Sequence, residues 1–106
     1  MFLGGRKFEL DRAVFHYGLS PNQLAVYAYL KSCAGRRAAC RVKVKTIASA
    51  CGCSDSTVRR ALKALKNCGF IDIKGDVQKL KGGGHRQTCN RYYLLDESEW
   101  QVARPA

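Results

Sequence analysis

Apolar residues recur along this chain at two different spacings, and the change of spacing marks where helices give way to strands. Residues 1 to 19 hold Phe8, Leu10, Val14, Phe15 and Leu19 with no sustained period, which predicts a short strand or arm followed by a helical turn. The pattern sharpens at Ser20. Ser20, Pro21 and Gln23 stand as N-cap, first and third helical residues, a capping box with proline where its missing N–H costs nothing. A helix is therefore predicted from Ser20 to about Cys33. Leu24, Tyr27 and Ala28 form one of its stripes and Val26, Leu30 and Cys33 another, so it should be covered on two sides. The second cover is either another subunit docking on helix 20–33 or residues 1 to 19 folding back.

After Gly35 the basic pair Arg36 and Arg37 turns the chain, and Cys40, Val42 and Val44 alternate as in a small strand. Val44, Ile47, Ala48 and Cys51 then recur at i, i+3, i+4 and i+7, a brief helix that Gly52 ends. Ser54 caps the next helix, Asp55 suits its dipole, and Val58, Ala61, Leu62 and Leu65 form its apolar stripe before Gly69 closes it. Ile71, Ile73 and Val77 fall at even spacing, KLKGGGHRQT intervenes, and CNRYYLL resumes the apolar character, which reads as a β-hairpin with a basic tip. A competing register turns instead at Gly75 and Asp76, giving three short strands. The expected class is mainly α with a small β-sheet, divided as an arm 1–19, a domain 20–95 and an acidic tail 96–106.

Composition narrows the function. A chain of 106 residues, 46% hydrophobic, has material for one core and one domain. No apolar run reaches the roughly 18 residues of a membrane span, and the charged N-terminus is unlike a secretory signal, so a cytoplasmic protein is expected. The net charge is +11, and segment 36–91 alone holds fourteen basic against three acidic residues. Such segregation points to a polyanionic partner, with a merely solvated basic face as the alternative. A membrane surface fits less well, because the single tryptophan, Trp100, lies among acidic residues instead of opposite a basic helix face.

The run TIASACGCSDSTVRRALKAL, Thr46 to Leu65, carries the most specific signal. Two helices crossing tightly need a small residue in the first, a glycine at the turn and apolar residues facing back from the second. Ala48, Gly52, Val58 and Ala61 meet those needs in order. This stretch resembles the helix-turn-helix of bacterial DNA-binding proteins, and Ser54 to Leu62 has the form common in winged members. Together with LSPNQLAVYAYL, NCGFIDI and TCNRYYLL, residues 8 to 95 resemble a winged helix-turn-helix family of bacterial and phage proteins that includes N-terminal domains of replication initiators. The resemblance implies a three-helix core with a small sheet and a β-hairpin wing, double-stranded DNA as partner, a cytoplasmic location with the nucleoid as the site of action, and no catalysis. Relatives often place a serine before the shorter helix, where this chain has Lys43. Many carry a second domain after the wing, whereas eleven residues follow Leu95 here, so no small-molecule effector is expected.

The second helix then leaves Asp55, Ser56, Thr57, Arg59 and Arg60 outward as candidate readers of base edges, with either arginine able to fork onto a guanine. Ser54, Lys63 and Lys66, Lys43 and Lys45 before and within the shorter helix, and Lys79, Lys81, His85 and Arg86 in the wing are candidates for the phosphate backbone. Six cysteines, Cys33, Cys40, Cys51, Cys53, Cys68 and Cys89, are expected to be reduced thiols, with Cys51 and Cys53 packing as small apolar residues. A structural zinc site is the sharper alternative, but the Cys-x-Cys spacing and distant histidines argue against it. Tyr27, Tyr29, Tyr92 and Tyr93 are assigned to core packing. No cofactor, metal or catalytic constellation is expected, since GGGHRQT lacks the ending of a phosphate-binding loop. The expected role is sequence-selective DNA binding in transcriptional control or in replication and maintenance of a mobile element. The rival from another class is a winged-helix protein-interaction module.

Overall fold

The computed structural model describes residues 8–35, 37–74, 77–79, 85–87 and 90–102. Its helices are α1 (Pro21–Ala34), α2 (Val44–Cys51) and α3 (Asp55–Asn67), and its strands are β1 (Ala39–Val42), β2 (Ile71–Lys74), β3 (Val77–Lys79), β4 (His85–Gln87) and β5 (Asn90–Leu94). Short 3-10 turns, Arg12–His16 and Glu97–Glu99, flank them.

The caps form as the sequence demands. Ser20 Oγ accepts from the Gln23 amide at 3.2 Å while the Gln23 side chain accepts from the Ser20 amide at 2.9 Å, so α1 opens with a complete capping box. Lys43 precedes α2 in extended conformation and makes no side-chain cap, which leaves that helix start without the usual acceptor. Gly52 ends α2 in the left-handed region at φ 69° and ψ 35°, and the amides of Gly52 and Cys53 both donate to Ala48. Beyond α3, Phe70 N–H donates to Leu65 and Gly69 N–H to Lys66, the paired bonds of a Schellman motif with Leu65 and Phe70 both buried.

The sheet has the order β1-β5-β2, antiparallel throughout. β3 pairs antiparallel with β4, nested beyond β2 and β5. Nesting selects the single hairpin over the register turning at Gly75 and Asp76, two positions that lie outside the described residues. The alternation that the sequence placed through Val44 stops at Val42, because Val44 already begins α2.

One core joins these elements. Val26, Leu30, Ile47, Val58, Leu65, Phe70 and Tyr92 are fully buried within it. Val14 is fully buried as well, so the 3-10 turn reaches the same core, and no strand forms among the described residues before it. Val26 and Leu30 are thus covered within the chain itself. The stripe that suggested a second subunit on α1 is spent on the core, and Cys33 alone of that stripe stays exposed. At the other end, Trp100 stacks on Phe70, with Tyr17 and Tyr27 edge-on to both rings. Tyr93 departs from the core assignment: it sits half-buried on the outer face of the sheet, 5.9 Å from Lys74 Nζ.

Candidate nucleic-acid interface

α3 divides cleanly between an inward and an outward face. Val58, Ala61, Leu62 and Leu65 are buried, one stripe at helical spacing, and they fix which residues point away. Ser56, Arg59, Arg60, Lys63 and Lys66 are exposed, while Asp55 and Thr57 are half-buried at the first turn. Ser54 Oγ accepts from the Thr57 amide at 3.1 Å and shares a hydrogen bond with Thr57 Oγ1 at 2.9 Å. That clasp fixes both hydroxyls at the start of the helix and occupies one donor or acceptor of each. α2 packs across α3 from the Gly52 turn, placing exposed Lys43 and Lys45 at the opening of α2. Lys79, His85 and Arg86 fall on β3 and β4, but their side chains, and Lys81 altogether, lie outside the described residues.

The sheet adds cations that the sequence did not single out. Its register sets Arg41 opposite Arg91 and Lys74 opposite Arg91, so three exposed cationic residues form one row across the outer face. Tyr93 stands in the next row, its hydroxyl 3.4 Å from an Arg91 guanidinium nitrogen. Each strand shows only an alternating cation, and only the pairing of distant strands aligns them.

Two hollows lie at opposite ends of α1. A small one of about 160 Å³ is shared by Ser20, Asn22 and Gln23 of the α1 start with Thr57, Arg60 and Ala61 of α3. A larger, open cleft of about 670 Å³ lies near Tyr27 and Lys31, with Leu94, Leu95 and Trp100 lining it and Glu9, Asp11, Asp96 and Glu97 among its polar residues.

Three of the thiols, Cys40, Cys51 and Cys68, are held in the protonated form. Burial, reinforced by Cys33, pushes the Cys40 thiol up to about 11, and burial also raises Cys51 and Cys68. Raised values keep a thiol protonated, the form that neither ligates nor attacks. Among the described residues no three His, Cys, Asp or Glu side chains are placed to hold a metal ion. No helix among them is long and apolar enough to cross a membrane.

The family model of a helix-turn-helix domain matches residues 17–71. No curated protein matches the chain. Among solved structures it is similar to a possible transcriptional regulator from Methanosarcina mazei Go1, at 17% identity and a TM-score of 0.55, over 92% of this chain and 75% of that one. At such identity the likeness is one of fold.

Proposed function

The chain belongs to the helix-turn-helix domain family, in the winged form, and from that premise we propose that it binds double-stranded DNA sequence-selectively through α3. One observation carries the reading: the apolar stripe of α3 is consumed by the core, and the face left outward presents Ser56, Arg59, Arg60 and Lys63. A helix of this kind fits the major groove, where arginine recognises guanine edges and lysine meets phosphates. Lys43 and Lys45 hold the flanking backbone, and the segment 79–88 grips it as a wing. Transcriptional control is the role proposed, in keeping with the description of the similar structure as a possible transcriptional regulator, with replication and maintenance of a mobile element as the alternative. No catalytic step is part of this reading.

Selection of bound sequences from a random duplex pool tests it. An enriched motif, together with a log–log salt slope of roughly −4 to −7, is the expected outcome for about five to eight phosphate contacts. A palindromic motif would add a homodimer with half-sites about one helical turn apart. No enriched motif and a shallow salt dependence would overturn the proposal in favour of a protein-interaction module.

A further inference from the structure

Arg59 and Arg60 are adjacent in sequence but not in space. Successive residues of an α-helix are rotated by about 100°, so the two side chains leave α3 on either side of the outward line through Ser56 and Lys63. Arg60 departs on the side of α1. It shares the hollow of about 160 Å³ with Thr57 and Ala61 from its own helix and with Ser20, Asn22 and Gln23 from the first turn of α1. Arg59 does not border that hollow.

The chemistry of the hollow follows from what is already occupied. The capping box consumes the amides of Ser20 and Gln23, and Pro21 has none, so backbone donors at the α1 start are largely spent. What remains is made of side chains. Arg60 and Asn22 are exposed residues of α3 and α1, and half-buried Thr57 lines the same hollow. A permanent cation with two neutral hydrogen-bonding groups, open to solvent and walled by two helices, suits a single phosphodiester more than a planar base edge.

We propose that Arg60, Asn22 and Thr57 clamp one backbone phosphate of the DNA bound by α3, and that Arg59, on the other flank, is free to read a base. The inference rests on the proposed DNA binding and divides its work between two neighbouring arginines. α1, otherwise a scaffold helix, thereby becomes part of the DNA contact.

The test uses the full chain, the selected duplex and a set of single-position variants of that duplex. Arg60→Ala should weaken binding to all of them alike, about five- to tenfold near physiological salt, and make the salt slope shallower by about one. Arg60→Lys should retain much of the affinity with the same base preference, because a lysine ammonium still meets a phosphate as a point charge. Asn22→Asp places a carboxylate at a helix start, where it favours folding, yet beside the phosphate it should cost several-fold in affinity. An Arg60→Lys protein that loses preference at one base pair, or an Asn22→Asp protein of unchanged affinity, would overturn the clamp while leaving DNA binding intact. If the unaltered chain retains no duplex, the DNA-binding proposal itself fails and the clamp with it.

Discussion

Phe70 and Trp100 stack nearly face to face, their ring centroids 4.4 Å apart and their planes 17° from parallel. Phe70 closes the Schellman turn after α3, and Trp100 comes thirty residues later, so the stack fastens the end of the described chain to the base of the outward helix. The backbone reinforces it: Gln101 N–H donates to Cys68 at 2.7 Å, and Trp100 Nε1 donates to Leu95 at 3.1 Å.

Trp100→Ala should therefore act as a core deletion, although the residue lies in an acidic segment. Loss of a packed aromatic costs about 3 kcal/mol. Urea denaturation followed by far-ultraviolet circular dichroism should show that drop, and a change under about 1 kcal/mol would mean the segment contributes no packing.

Two glycines with similar backbones should respond differently to alanine. Gly52 (φ 69°) has open space where a Cβ would go, so Gly52→Ala carries only the left-handed penalty of about 1 kcal/mol. Gly69 (φ 77°) has the carbonyl of Glu99 lying where a Cβ would stand. Gly69→Ala must also displace that segment, and should lose at least about twice as much in the same denaturation experiment.

Lys43→Ser should separate stability from binding. The extended backbone at position 43 suits an N-cap, and a serine there supplies the acceptor α2 lacks, worth about 0.5 to 1 kcal/mol. Removing the cation should weaken duplex binding a few-fold and make the salt slope shallower by about one. Thermal melts and salt titrations on the same sample check both signs.

Cys40 makes stability depend on pH only in alkali. Its thiol is held up to about 11, chiefly by burial, above the ordinary value of 9.0, so the folded protein favours the protonated form. Its contribution is complete below about pH 9 and is lost as pH rises through 11. Denaturation midpoints compared between the unaltered chain and Cys40→Ala should run parallel below pH 9 and converge above it, and alkylation of Cys40 should accelerate over the same interval.

The helices were legible because their determinants are local. Ser20 with Gln23, Ser54 as an N-cap, and the stripe from Val58 to Leu65 are signals within one turn or two, and each appears in the structure at its expected place. Nesting of the hairpin was legible as one of two registers. The aromatic group of Tyr17, Tyr27, Phe70 and Trp100 was not, because it joins both chain ends through contacts that no period encodes. The Arg41, Arg91 and Lys74 row depends on strand pairing, and the company of Arg60 depends on how α1 crosses α3; neither is written in spacing along one element.

Trp100 is the chain's single tryptophan, and it borders the large cleft at the far end of α1 from Arg60. The molecule consequently carries an intrinsic fluorophore at one hollow and its proposed phosphate-clamping arginine at the other. Emission should redden when the terminal segment lifts from Phe70, and quench when a solute enters the cleft, yet stay steady while α3 is being occupied.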